Sequence, residues 1–271
     1  MQEKFDIIIL AGQSNASGCG LGETTTPWNI DQRIYKLQGE YSADVAKTEY
    51  GNEYLDIKIF DKKTITLADE RLDVSGQKMA SFSLSFAKEY ADKYLSKDRK
   101  LLIVDTAIGG TGFSKNHWGV GDILYNRAFD LVDYALSLNE ENKLVAVLWH
   151  QGEHDTFENA QLNPTERYDF YEKKFGDFMK GLREKYGVVP FVCAGFTKVW
   201  VESYPEQCKA VLTAMNKVLN DFEKTAFVNQ TDDLLNNDAV LGNSDVVHFC
   251  RDSSYELGRR YFIEFEKILK K

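Results

Sequence analysis

Phe5-Asp6-Ile7-Ile8-Ile9-Leu10-Ala11-Gly12-Gln13-Ser14-Asn15 decides the fold. A short isoleucine-rich run stopped by a glycine reads as a buried strand that breaks at a tight turn. The turn presents Ser14 at the strand's carboxyl end, the edge at which open α/β sheets bind ligands. A serine there serves equally as a turn residue or a helix N-cap, so a nucleophilic role for Ser14 depends on residues elsewhere. Asp245-Val246-Val247-His248 supplies an acid and an imidazole three residues apart, on a loop before the last helix. These are the two partners a serine nucleophile needs.

Outward from this run, strand-like and helix-like segments alternate. Leu101–Val104 is a continuous apolar run of the kind expected in a strand covered on both faces. Leu144–Trp149, Phe191–Phe196 and Ala226–Val228 read as further strands. Phe82, Phe86, Tyr90 and Tyr94, four apart within Ser81–Leu95, make one face of an amphipathic helix. Helices are also expected over Leu124–Leu138, Pro164–Tyr186, Pro205–Phe222 and Tyr255–Leu269. Arg33–Leu37, Leu55–Phe60 and Thr64–Leu67 form a small excursion, with Asp61-Lys62-Lys63 as its hairpin turn. The alternation predicts a parallel sheet covered by helices. No repeat, linker or low-complexity segment interrupts it, so residues 1–271 are read as one domain.

Composition sets the bounds. A chain of 271 residues has ample length for a sizeable core. Its net charge of −9 argues against nucleic acid or an anionic membrane as partner and favours a small ligand. Cys19, Cys193, Cys208 and Cys250 are widely spaced without a CxxC pair, which points to free thiols. The sequence as written shows no signal peptide and no membrane-spanning run. A cytoplasmic protein is expected on that basis, or a secreted one if a leader has been removed.

In a parallel sheet the loops after the strands share one edge. Four such loops carry unusual chemistry: Gly12-Gln13-Ser14-Asn15, Gly109-Gly110-Thr111-Gly112, Trp149-His150-Gln151-Gly152-Glu153-His154-Asp155, and the segment with Asp245 and His248. A serine hydroxyl is a weak nucleophile until a base takes its proton, and an imidazole titrates in the right range. Asp245 fixes the tautomer of His248 and stabilises the imidazolium. The resulting oxyanion needs preorganised donors. The backbone amides of Ser14 and Gly110 and the side-chain NH₂ of Gln151 are the candidates.

This ordered set resembles the SGNH-hydrolase superfamily, and within it the carbohydrate esterases of the acetylxylan esterase and sialate O-acetylesterase type. The resemblance implies an α/β fold, a three-layer α/β/α sandwich with a mainly parallel, flavodoxin-like sheet. It implies removal of acetyl groups from sugar hydroxyls through an acyl-enzyme. The family's nucleophile falls on Ser14, its second-block glycine on Gly110, its base on His248 and its acid on Asp245. Gln151 stands where the superfamily usually has asparagine, and Ala16 stands where a methionine is common.

Other signals carry two readings each. Asn15 hydrogen-bonds the turn or contributes to the site. Glu153 orients His248 or Gln151, or binds substrate; Asp155 reads as structural. His117-Trp118 lines a sugar site or caps its own domain. His150-x-x-x-His154 has the spacing of a helical zinc pair, but Gly152 interrupts it, and no metal or cofactor is expected. Gly18, Gly20 and Gly22 lack the dinucleotide spacing, and the Gly109 loop lacks the lysine of a P-loop. The expected partner is an acetylated sugar or oligosaccharide. A carbohydrate-binding protein without turnover, or an esterase or thioesterase for non-sugar acyl groups, are the alternatives.

Overall fold

Strand β1 (Phe5–Gly12) is buried along its whole length, because each of its faces meets a layer of helices. Ile7, Ile9 and Ala11 enter one apolar cluster, while Ile8 and Leu10 enter another on the opposite side. A residue on either face therefore finds a dry environment, and the run needs no polar alternation. The structure, a computed structural model, describes residues 3–49, 51, 53–158 and 161–270; Met1 and Gln2 lie outside them.

The other strands are β2 (Ile34–Lys47), β3 (Glu53–Leu67), β4 (Arg71–Leu72), β5 (Lys78–Met79), β6 (Lys100–Asp105), β7 (Lys143–His150), β8 (Phe191–Ala194) and β9 (Thr225–Val228). Seven of them form one sheet in the order β3-β2-β6-β1-β7-β8-β9, and β4 pairs with β5. All neighbours in the large sheet run parallel except β3, which is antiparallel to β2. The helices are α1 (Ser14–Ser17), α2 (Phe82–Lys93), α3 (Ile123–Ser137), α4 (Glu153–Phe157), α5 (Pro164–Tyr186), α6 (Lys198–Ser203), α7 (Pro205–Asp221), α8 (Asn237–Leu241) and α9 (Arg251–Leu269).

The apolar faces of α3, α5 and α7 cover one side of the sheet, and those of α2 and α9 cover the other. The result is the expected three-layer α/β/α arrangement. Phe82 and Phe86 of α2 pack on Tyr261, Phe262 and Phe265 of α9, with Phe82 and Tyr261 stacked at 4.4 Å. Among the described residues, no helix is long and apolar enough to cross a membrane.

The excursion differs from its sequence reading. Asp61-Lys62-Lys63 is not a turn but the middle of β3, and the hairpin lies between β2 and β3. Three polar residues without glycine or asparagine offer no positive-φ position for a tight turn. Gly51, at φ +83°, offers one, and its N–H donates to the Thr48 carbonyl. The two long strands pair from Tyr35↔Leu67 to Lys47↔Glu53, with a bulge between Gly39 and Tyr41. The ribbon extends beyond the edge of β6, its parallel partner.

Candidate active site

At the end of β1 the chain turns through Gly12, at φ +130°. A Cβ on Gly12 would sit 2.0 Å from the His150 carbonyl oxygen, so glycine alone fits between β1 and β7 here. The Gln13 N–H donates to that same carbonyl at 2.9 Å. Ser14 follows as the first residue of α1 and is nearly buried. The second glycine loop lies directly alongside, since a Cβ on Gly109 would be 3.4 Å from Ser14 Cβ. Among the described residues the backbone N–H groups of Ser14 and Gly110 have no hydrogen-bond acceptor.

Asp245 and His248 lie on the loop between α8 and α9. His248 Nδ1 and Asp245 Oδ2 are 2.8 Å apart, and the His248 N–H approaches Asp245 Oδ1 at 3.3 Å. Burial alone would raise the Asp245 carboxyl, but the bonds from His248 and Asn237 outweigh it and hold it below the usual carboxylate range. It therefore stays ionised beside the imidazole. Asn237 was not singled out by sequence reading. Its Nδ2 donates to Asp245 Oδ2 at 2.8 Å and to the Cys19 carbonyl, and its Oδ1 accepts from the Leu21 N–H. An asparagine opening a five-residue helix carries no periodic signal that would have marked it.

Asn15 joins the Ser14 loop to the His248 loop. Its Nδ2 donates to the Val247 carbonyl at 3.1 Å, and its Oδ1 accepts from the Phe249 N–H at 3.1 Å. The residue after Ser14 thus grips the backbone on both sides of His248. The same Nδ2 donates to Glu153 Oε1 at 2.7 Å. Of the three tasks open to Glu153, the geometry supports orientation, exerted on His248 through Asn15.

Glu153 sits fully buried against His150, with Oε1 3.2 Å from His150 Nε2. The Tyr261 hydroxyl donates its one hydrogen to the Trp149 carbonyl, so at 3.1 Å from the other ring nitrogen it must accept from His150 Nδ1. His150 Nε2 is left facing the carboxylate. Burial pushes the Glu153 carboxyl up, but the His150 charge and the Asn15 bond bring it below its ordinary range. His154 instead faces Glu158, at 3.6 Å. The two histidines of the zinc-like spacing thus have different partners.

The two glutamines of the site differ in what their amides do. Gln151 Nε2 donates to Asp155 Oδ2 at 2.7 Å and approaches the Thr111 carbonyl and Gln13 Oε1, both at 3.3 Å. Its Oε1 accepts from the Tyr171 hydroxyl. Both Gln151 N–H bonds are therefore engaged, and it is not the free oxyanion donor expected from sequence. Gln13 Oε1 accepts from the His154 N–H at 3.1 Å, which turns its Nε2 the other way. Among the described residues that Nε2 has no acceptor.

Asp155 is structural, as expected: its carboxylate also accepts from the Phe113 and Ser114 N–H groups and anchors the loop after Gly112. His117 is nearly buried, and its Nδ1 accepts from the Gly112 N–H. Burial, with the His154 and Lys115 charges, lowers its imidazole to about 4. Trp118 corrects the sugar-face reading. The indole is completely buried, packed edge-on against Trp149 at 5.2 Å, with Nε1 donating to Thr111 Oγ1. A ring enclosed in the core cannot face a ligand.

A family profile described as carbohydrate esterase, sialic acid-specific acetylesterase matches residues 4–267. The chain belongs to this family. The esterase is similar in fold to NanS, with a TM-score of 0.70 at 18% identity over 99% of this chain and 98% of that one. It is also similar to the Arabidopsis thaliana protein AT4G34215, with a TM-score of 0.65 at 16% identity over 98% of each chain. XAC1771, a carbohydrate acetylesterase from Xanthomonas citri, gives a TM-score of 0.59 at 15% identity over 97% of this chain and 56% of that one. A comparison with curated protein sequences gives no match. Family membership makes the protein a carboxylic ester hydrolase acting on carbohydrate.

Proposed function

We propose that the esterase removes O-acetyl groups from sugars through an acetyl-enzyme on Ser14. The observation that carries this reading is the double grip of Asn15 on Val247 and Phe249, which ties the His248 loop to the Ser14 loop. In this mechanism His248 Nε2 takes the Ser14 proton as Oγ attacks the acetyl carbonyl carbon. Asp245, on Nδ1, stabilises the imidazolium. The oxyanion rests on the Ser14 and Gly110 N–H groups, with Gln13 Nε2 as the third donor because its amide is the one left without an acceptor. Collapse expels the sugar alkoxide, which takes its proton from His248. Water then attacks the acetyl-enzyme, His248 again acts as base, and acetate leaves with Ser14 restored.

The test is acetate release from acetylated xylooligosaccharides and O-acetylated sialic acids by the wild type and by Ser14→Ala. Release by the wild type and its loss in the variant are expected. Full activity in the Ser14 variant would end the acetyl-enzyme mechanism. Sugar binding without acetate release would turn the reading to a binding protein, and preference for long acyl chains on non-sugar alcohols would turn it to a different esterase.

A further inference from the structure

The open edge of the sheet carries a pattern that the proposed reaction does not use. Strand β3 is the outermost strand, and among the described residues β2 is its only backbone partner. Every second N–H and C=O of such a strand faces outward, a ready template for another strand. Proline on the edge would blunt it, and Glu53–Leu67 contains none. The ladder with β2 runs without interruption from Tyr41↔Ile59 to Lys47↔Glu53, and the bulge begins only beyond Ile59.

The uninterrupted stretch and its margin read Tyr54-Leu55-Asp56-Ile57-Lys58-Ile59-Phe60. Outward from Ile57 come an acid and a base, then two aliphatic residues, then two aromatic ones. A two-fold axis through Ile57, perpendicular to the sheet, would lay this segment antiparallel on its own copy. Asp56 then stands opposite Lys58 of the second copy, Leu55 opposite Ile59, and Tyr54 opposite Phe60, each pair occurring twice. Opposite charges, aliphatic pairs and aromatic pairs are the cross-strand neighbours that stabilise a sheet.

The register is specific. Centring on Asp56 or on Lys58 sets a charge against its own copy, and centring on Ile59 sets Ile57 against Asp61. About Ile57 the single like-charge pair is Glu53 with Asp61 at the ends, and Glu53 already has Lys47 at 3.5 Å. Charge within one chain is also left over. Asp56 lies directly opposite Asp44 of β2, and one cation, Lys58, reaches Asp56 at 3.0 Å. That contact places Asp56 and Lys58 on one face of the strand, where Lys58 of a second copy would supply the missing positive charge. Tyr54 and Phe60 are 44% and 45% exposed, an unusual state for two large rings on one strand.

We propose that the esterase forms a two-fold dimer by antiparallel pairing of β3 with β3 of a second copy, centred on Ile57. The contact is isologous, so it closes at two copies. It is one strand wide, which places it among the small, weak interfaces.

Sedimentation equilibrium over a concentration series reads the dimer directly. The proteins are wild type, Asp56→Lys, Lys58→Asp and the double variant carrying both changes. Wild type should pass from monomer to dimer as concentration rises. Each single substitution sets like charges against each other at both symmetry-related pairs. It should raise the dissociation constant by about tenfold to a hundredfold. The double variant exchanges the two charges and should return to wild-type association. An equimolar mixture of the two single variants should also dimerise, because every charge then meets its opposite across the axis. Rescue by mixing cannot come from repaired folding, since neither chain is altered by it. A wild type that stays monomeric throughout the series would overturn the proposal. So would a dimer indifferent to either single substitution, or one that neither the double variant nor the mixture restores.

Discussion

Toward β7, the polar groups beside Ser14 are engaged with one another. Asn15, Glu153 and His150 form one buried chain, and Gln13, Gln151 and Asp155 form a second. Toward β6 and β2, the polar groups line an open cavity, and among the described residues two donors of Arg71 have no acceptor. The difference separates two requirements of a hydrolase. Groups that hold the nucleophile and base in register must be satisfied by the protein itself, since a loose supporting shell loses rate. Groups that meet the substrate must instead be left for it to satisfy.

The largest effect should come from the reaction centre that both sides serve. Ser14→Ala is expected to lower kcat on an aryl acetate by roughly 10⁴–10⁶-fold with an unchanged melting temperature; comparable turnover in the two proteins would remove Ser14 from the mechanism. On the engaged side, Glu153→Ala removes the carboxylate that Asn15 and His150 share. It should destabilise the fold by about 1–3 kcal/mol in urea unfolding, and a change below about 0.5 kcal/mol would show that the buried chain holds nothing.

The two glutamines give a sharper contrast. Gln13→Ala should cost roughly 10²–10³ in kcat, the usual loss for an oxyanion donor. Gln151→Ala should act chiefly on stability, by about 1–3 kcal/mol, because it takes a donor from the buried Asp155 carboxylate and leaves the Tyr171 hydroxyl only the backbone carbonyl of residue 151. If Gln151→Ala instead gave the large kcat loss at full stability, the assignment of the two amides would be reversed.

His117 gives an effect that appears only on acidification. The folded protein holds this imidazole near 4, whereas an unfolded histidine titrates near 6.5. As pH falls between those values the unfolded chain takes up a proton that the folded chain refuses, so stability is lost as the solution is acidified. The loss amounts to about 3 kcal/mol once pH reaches 4. His117→Asn keeps an acceptor for the Gly112 N–H and should flatten that part of the unfolding profile; an unaltered acid limb would count against the assignment.

Much of this was legible in the sequence, for physical reasons that also mark where legibility stops. The run of β1 and the apolar stretch of β6 are readable because two-sided burial removes the polar alternation. Gly12 is readable because a turn at a sheet edge needs it. Ser14, Gly110, Asp245 and His248 fall on loops that parallel topology brings to one edge. The hairpin was misplaced because Asp61-Lys62-Lys63 has turn-like polarity but lacks a residue suited to positive φ. Trp118 kept two readings in the sequence because an indole looks the same there whether it faces a sugar or packs on Trp149. The engagement of Gln151, the free amide of Gln13 and the isolation of Arg71 depend on partners far along the chain. Glu70, for instance, is removed from Arg71 by Arg251, 181 residues away.

The ribbon of β2 and β3 has one more consequence. It supplies Gln38, Gly39, Glu40, Tyr41, Lys62 and Thr64 to the cavity, yet hydrogen-bonds to the rest of the sheet through β6 alone. The ribbon and the loops of the proposed reaction centre therefore lie in separate stretches of the sequence. Substitutions in one contiguous ribbon can reshape that wall while the four loops of the proposed reaction centre stay untouched, and changes of length at its tip add little closure entropy. New substrates are within reach of this scaffold by exchange of its margin.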